Sequence, residues 1–200
     1  RRLYDVYASE EMIDISYIHT AAFKSPMDAA RQISQTLGVP LQRSFQLQME
    51  GLEKFMADAY AANHNVIVLL DDAQLMEPAA LEVLHRLYNF DYDAKVVQVL
   101  AFGQSEMSSV FEQNKSVNAR VFVRLALPPL TLSSALQMVV FRLRVAGRQE
   151  PLIDDDAFEY LYERSQGVPR EIIKLCNHSL DTLLQTDGSA INVDIVRKVG

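Results

Sequence analysis

An uninterrupted apolar run over residues 66–70 is followed at once by Asp71 and Asp72, and it constrains the fold more than any other feature. The run has no polar alternation, which is typical of a central parallel strand that is covered on both faces. Ligands of such sheets lie beyond the carboxyl ends of the strands. The two carboxylates therefore predict a site there, in which one carboxylate holds magnesium and the next polarises an attacking water. A strand that merely ends in a polar turn is the alternative.

Strand and helix patterns alternate along the chain as far as residue 127. Strands are predicted over residues 12–19, 95–102 and 120–127, and helices over residues 27–37, 43–62 and 78–88. This alternation predicts an α/β fold with a parallel sheet flanked by helices. Only helical patterns follow Pro128 and Pro129, so the predicted domains are an α/β core over residues 1–128 and a small all-α domain over residues 129–200.

The composition disfavours several classes of protein. The net charge of −7 argues against non-specific attachment to the phosphate backbone of nucleic acids. Cys176 is the only cysteine, which excludes an internal disulfide and a thiolate metal cluster. The four histidines lie at no metal-ligand spacing. No apolar run approaches the roughly 20 residues that a membrane-spanning helix needs.

Several segments, in order along the chain, resemble one family. VIVLLDDAQ (residues 66–74) is similar to the Walker B segment of the ExeA/GspA and MshM group of bacterial AAA+ ATPases, which usually reads apolar strand, Asp, Glu, Ala, Gln. LEVLHRLYNF (81–90), VQVLAFGQSEM (97–107) and SQGVPREIIKLC (165–176) also resemble segments of that group. The resemblance implies a P-loop NTPase-type AAA+ core followed by a helical lid domain.

The resemblance also implies roles for the two carboxylates. Asp71 falls at the position of the magnesium carboxylate, and Asp72 falls where the family has its catalytic Glu. Aspartate is one methylene shorter than glutamate, and a displacement of about 1 Å of a catalytic group can cost on the order of a hundredfold in rate. We therefore expect ATP and Mg²⁺ as cofactors and slow hydrolysis, closer to a nucleotide-held switch than to a fast motor.

Further polar residues match the family's nucleotide-sensing positions. Gln104 falls at sensor 1, where a polar side chain senses the γ-phosphate or orients water, and a role at the start of the next helix is the alternative. Arg170 matches sensor 2, whose guanidinium reaches the nucleotide from the lid. Arg120 and Arg124 align with arginines that act as a finger on the neighbouring subunit's nucleotide in ring-forming relatives. Arg120 is favoured because it precedes the predicted strand, and a place on the sheet face is the alternative for Arg124.

A phosphate-binding loop is absent from these 200 residues, because no Gly-rich segment is followed by Lys and Ser or Thr. The family has this loop just before the helix that matches residues 1–9. We therefore expect the Walker A motif upstream of Arg1, and we expect this chain alone to be inactive. A degenerate relative that has lost nucleotide binding is the alternative.

The resemblance finally implies partners and a location. We expect a homo-oligomer, as a ring or a filament, whose nucleotide state controls assembly and contact with a protein partner in secretion, pilus or cell-envelope assembly. Relatives of this type act at the inner membrane, which predicts a cytoplasmic domain there. An ATP-dependent, DNA-binding transposition regulator of the TniB/TnsC type is the second hypothesis. A non-enzymatic interaction module is the third.

Overall fold

The computed structural model describes residues 2–90, 95–186 and 188–199. The chain forms two compact units, residues 1–124 and residues 125–200. The prediction from sequence places a domain boundary slightly later, after residue 128. Among the described helices, none combines the length and the apolar character needed to cross a bilayer.

The first unit is built on a parallel three-stranded sheet. β1 (Ile13–Ile18), β2 (Asn65–Leu70) and β3 (Val97–Ala101) lie in the order β1-β2-β3. β2 is central, and Val66 lies opposite Asp14 on one side and opposite Val97 on the other. No side chain in residues 66–70 is more than 8% exposed. The apolar run is therefore a central parallel strand, as predicted.

Helices of the first unit pack with this sheet around one apolar core. The unit contains α1 (Arg2–Tyr7), α2 (Pro26–Thr36), α3 (Phe45–Ala61), α4 (Leu81–Tyr88), α5 (Glu106–Gln113) and α6 (Lys115–Asn118), with short 3-10 turns at Ala73–Leu75 and Pro78–Ala80. α2 begins with Pro26, and the Ser25 hydroxyl accepts a hydrogen bond from the Asp28 N–H at 3.1 Å. Ile33, Leu52 and Leu87 are fully buried in the core beside β2. The α/β fold class is therefore confirmed.

The prediction of a strand over residues 120–127 is wrong. These residues form no strand, and Phe122 and Leu127 are 96% and 95% exposed. β propensity reflects the fit of a side chain to a pleated surface and its neighbours, so a β-favouring run forms a strand only beside another strand. Within the described residues, the sheet consists of β1, β2 and β3, and none of them pairs with this segment.

The second unit is helical. It contains α7 (Leu132–Val145), α8 (Asp155–Ser165), α9 (Pro169–Leu183) and α10 (Val193–Lys198), and a parallel bridge joins Ile153 to Ile191. Val139, Leu161 and Ile172 are buried in its own apolar core. Burial also raises the pKa of the Cys176 thiol to about 11, so the thiol stays protonated at neutral pH.

Candidate nucleotide and magnesium site

Asp71 lies at the carboxyl end of β2 and is fixed there through its backbone. Its N–H donates to the Ile18 carbonyl at 2.9 Å, and its carbonyl accepts from the Ala21 N–H at 2.8 Å. In the half-buried carboxylate, Oδ1 accepts from the Asp72 N–H at 3.1 Å, and Oδ2 accepts from the Tyr17 hydroxyl at 3.4 Å. The first predicted carboxylate is therefore held at the edge of the sheet where ligands of parallel sheets lie.

Asp72 has a left-handed backbone conformation, with φ 52° and ψ 39°. Aspartate and asparagine are enriched among the non-glycine residues that adopt this conformation. The conformation gives a physical reason for an aspartate at this position, where the resembling family usually has a longer glutamate. The Asp72 Oδ1 accepts a hydrogen bond from the Gln74 Nε2 at 3.1 Å, which restricts the carboxylate further.

The turn after β3 lies directly beside this pair of carboxylates. The Phe102 N–H donates to the Leu70 carbonyl at 2.8 Å, and the Ala73 N–H donates to the Phe102 carbonyl at 2.9 Å. The Gln104 N–H then donates to the Gln74 Oε1 at 3.2 Å. The structure thus brings Asp71, Asp72 and Gln104 to one edge of the sheet. Gln104 is exposed, and its backbone makes the contact with Gln74.

The two candidate finger arginines differ in their partners. Arg120 is half-buried, and its Nε donates to the Asn89 Oδ1 while its Nη1 donates to the Ser116 carbonyl, both at 2.9 Å. Arg124 forms an ion pair with Glu112 at 3.1 Å and a second hydrogen bond to the Asn118 Oδ1. In the described part of the chain, Arg120 has no carboxylate partner. Its charge therefore remains available to a phosphate, whereas the charge of Arg124 is already paired.

Arg170 belongs to the second unit, where it is the second residue of α9. It is exposed, and it forms no hydrogen bond or ion pair with any described residue. Gly167 sets the start of this helix with a φ of 71°, and a Cβ there would lie 2.4 Å from the Leu130 carbonyl oxygen. The segment over residues 167–170 therefore needs its glycine for close backbone packing, while the side chain of Arg170 extends into solvent.

The oxygen ligands that this site offers suit magnesium only as part of a nucleotide complex. The residues that the structure describes contain no group of three or more His, Cys, Asp or Glu that could hold a metal ion alone. Mg²⁺ is usually bound by one or two carboxylates together with waters and substrate phosphates. Asp71 offers such an oxygen at the end of β2, and waters and phosphates would complete the coordination. The site is therefore suited to a magnesium-nucleotide complex.

Sequence reasoning gave no role to two residues that contact the site. Gln74 belongs to the segment over residues 66–74 that resembles the Walker B region, and Tyr17 lies in the strand predicted over residues 12–19. The signal for Gln74 was its presence in the motif itself. No local pattern marks Tyr17, because the register of β1 on β2, with Tyr17 opposite Leu69, places it beside Asp71.

Comparison with known families identifies the family of this chain. The profile of a family described as an AAA domain matches residues 2–111. The chain belongs to this family. It is also 35% identical over 123 residues to general secretion pathway protein A of Aeromonas hydrophila, an alignment that covers 60% of this chain and 22% of that protein. The resemblance to AAA+ ATPases of the ExeA/GspA group is thereby confirmed.

Further relatives have lower identity. An uncharacterized HTH-type transcriptional regulator of Methanocaldococcus jannaschii is 22% identical over 152 residues, which cover 74% of this chain and 37% of that protein. The chain thus spans well under half the length of these two curated relatives.

Solved structures share the fold at low sequence identity. Cdc6p of Pyrobaculum aerophilum superposes with a TM-score of 0.74 at 18% identity, covering 100% of this chain and 55% of that one. The ADP form of the Aeropyrum pernix ORC2 protein gives a TM-score of 0.68 at 16% identity, with 99% and 55% coverage. The Thermotoga maritima RuvB branch migration motor gives 0.54 at 18% identity, with 99% and 64% coverage. These similarities establish an AAA+ fold.

Proposed function

We propose that this chain is the catalytic part of an AAA+ ATPase that binds ATP with Mg²⁺ and hydrolyses it slowly. In this proposal Asp71 holds the metal, Asp72 polarises the attacking water, and Gln104 contacts the γ-phosphate or that water. The observation that carries the proposal is the hydrogen-bonded edge of the sheet, where Asp71, Asp72 and Gln104 follow two adjacent parallel strands. These 200 residues contain no phosphate-binding loop, so the proposal applies to the protein together with such a loop.

Slow hydrolysis follows from the geometry of Asp72. Its side chain is one methylene shorter than the glutamate of the family and starts from a left-handed backbone, so its carboxylate reaches less far toward the attacking water. A catalytic group displaced by about 1 Å can lower the rate on the order of a hundredfold. A long-lived nucleotide state suits a protein in which ATP controls assembly.

We further propose that the protein is a homo-oligomer, as a ring or a filament, and that two arginines read the nucleotide. Arg120 acts as a finger toward a neighbouring subunit, because its unpaired charge is oriented by Asn89 and Ser116. Arg170 acts as sensor 2 from the second unit, which serves as the helical lid. Arg124 is assigned a structural role, because Glu112 already pairs with it.

The proposed cellular role is control of partner contact during secretion, pilus or cell-envelope assembly, at the cytoplasmic face of the inner membrane. Its support is the similarity to general secretion pathway protein A. Binding to duplex DNA that requires ATP and weakens with salt would instead favour the transposition regulator. The net charge of −7 argues against that alternative.

The decisive experiment compares two aspartate variants of the full-length protein. We expect Asp71→Ala to abolish Mg²⁺-dependent ATP hydrolysis, measured as phosphate release. Asp58→Ala is the matched control, because Asp58 is exposed on α3 and its side chain contacts no described residue by a hydrogen bond or ion pair. Unchanged turnover in Asp71→Ala would refute the assignment of Asp71 and of this edge of the sheet as the ATPase site, and no turnover in the unsubstituted protein would leave the non-enzymatic module as the remaining hypothesis.

Mixing subunits tests the finger. Arg120→Ala subunits should regain turnover when mixed with Asp72→Asn subunits, because each type then supplies the group that the other lacks. The control is a mixture of Arg120→Ala with Arg120→Ala/Asp72→Asn subunits, in which no interface can be complete. Failure of the first mixture to exceed the control would remove Arg120 as the finger.

A further inference from the structure

The side chain of Gln74 joins the two halves of the candidate site. Its Nε2 donates to the Asp72 carboxylate at 3.1 Å, and its Oε1 accepts from the Gln104 N–H at 3.2 Å. We propose that Gln74 is a positioning residue, which fixes the Asp72 carboxylate and the Gln104 turn in the one arrangement that supports hydrolysis. This inference rests on the proposed ATPase function.

The chemistry of the two partners explains why the bridging residue is an amide. An ionised carboxylate only accepts hydrogen bonds, and a backbone N–H only donates. A side chain that joins them must therefore donate at one end and accept at the other, as the terminal amide of glutamine does. A glutamate at position 74 would keep the bond from Gln104 but would place a second carboxylate against Asp72. A methionine would have similar length and would lose both bonds.

The backbone of Gly103 makes room for this bridge. A Cβ at position 103 would lie 2.7 Å from the Gln74 Oε1 and 3.2 Å from the Gln74 backbone nitrogen. A distance of 2.7 Å is shorter than a Cβ atom can approach an oxygen, so a side chain at this position would push the Gln74 amide away from the Gln104 N–H. Gly103 therefore permits the close approach of the 3-10 turn after β2 to the turn after β3.

Asp72 is positioned from its backbone side as well. Asp72 has a left-handed backbone conformation, and the next residue, Ala73, donates its N–H to the Phe102 carbonyl at 2.9 Å. Together these features fix the backbone that carries the carboxylate. The remaining freedom is rotation of the Asp72 side chain, and Gln74 restricts it. Loss of Gln74 should therefore lower the rate of the chemical step without weakening the binding of ATP.

The test measures steady-state ATP hydrolysis by the full-length protein with magnesium. We expect Gln74→Met to lower kcat by about ten- to a hundredfold, because a displaced catalytic group loses rate on that scale. The KM for ATP should stay within about twofold, since the substitution leaves unchanged the contacts that bind ATP equally in the ground state and in the transition state. Gln74→Glu should lower kcat at least as much as Gln74→Met does. Gly103→Ala should also lower kcat, although the side-chain amide of Gln74 is still present. Gln35→Met, on the exposed face of α2, is the matched control.

A double variant separates positioning from general damage to the structure. If Gln74 acts through Asp72, then Gln74→Met should cause no further loss of kcat when Asp72→Asn is already present. The inference would be overturned if Gln74→Met lowered kcat by its full factor in the Asp72→Asn background. It would also be overturned if Gln74→Met alone raised KM at constant kcat or kept the turnover of the unsubstituted protein. If Gln74→Met does not fold, Gln74→Glu is compared with Asp72→Asn in the same way. Full turnover of Asp72→Asn alone would instead refute the catalytic role that the proposed function gives to Asp72.

Discussion

Two apolar, β-favouring runs of this chain have opposite fates. Residues 66–70 form the buried central strand β2, whereas residues 121–127 form no strand and expose Phe122 and Leu127 almost completely. Apart from Arg124, the second run is also apolar and rich in β-favouring residues, so intrinsic preference alone does not explain the difference. β2 has a parallel neighbour on each side and helices packed against it, and the second run pairs with none of the described strands. Neighbours decide whether such a run becomes a strand.

Hydrogen exchange should show the largest difference between the two runs. The amides of residues 66–70 should open only with the whole unit, at free energies approaching global stability, on the order of 5–15 kcal/mol. The amides of residues 121–127 should exchange at nearly the rate of an unfolded chain. Mass-spectrometric exchange on this 200-residue chain measures both segments in one sample. Strong protection of residues 121–127 would contradict the comparison.

A matched pair of leucine truncations tests the same contrast energetically. Leu70→Ala removes a side chain that is 0% exposed, so we expect the free energy of unfolding to fall by about 2–5 kcal/mol. Leu127→Ala removes one that is 95% exposed, so its effect should stay within about 0.5 kcal/mol. Urea denaturation measures both changes. A large loss in Leu127→Ala would show that another segment or subunit covers the second run.

The turn that ends β2 should respond to backbone strain. Because Asp72 is left-handed, Asp72→Ala should be less stable than Asp72→Gly by about 1 kcal/mol, the cost of a Cβ in this conformation. Both variants lose the same carboxylate, so the difference between their urea midpoints reports the cost of a Cβ in the left-handed backbone conformation. Equal stability of the two variants would mean that position 72 is not left-handed in solution.

The smallest effect is expected at Arg124, in the middle of the second run. Arg124 and Glu112 are both exposed, with side chains 46% and 60% accessible, so their ion pair should contribute only about 0.2–1 kcal/mol. A double-mutant cycle of Arg124→Ala and Glu112→Ala measures this coupling, which should decrease with added salt. A coupling well above that range would show that this segment is held more firmly than its exposure indicates.

The sequence predicted the central strand, its two flanking strands and the helical second part, because burial patterns repeat with the period of each element. It also placed Asp71, Asp72 and Gln104 at the ends of their strands, where parallel topology brings them together. The prediction failed for residues 120–127, since apolar character alone does not reveal whether a neighbouring strand exists. The roles of Asp71, Asp72, Gln104, Arg120 and Arg170 stay predictions.

The sequence by itself determined the AAA family, the α/β order of the core and the positions of the acidic residues, because these depend on local patterns and motifs. Only the tertiary structure decided how the site is held. The left-handed backbone of Asp72, the bridge through Gln74 and the close approach of Gly103 arise where two turns meet, and residues about 30 positions apart acquire hydrogen bonds only when the sheet has formed. The same dependence on neighbours left residues 121–127 without a strand.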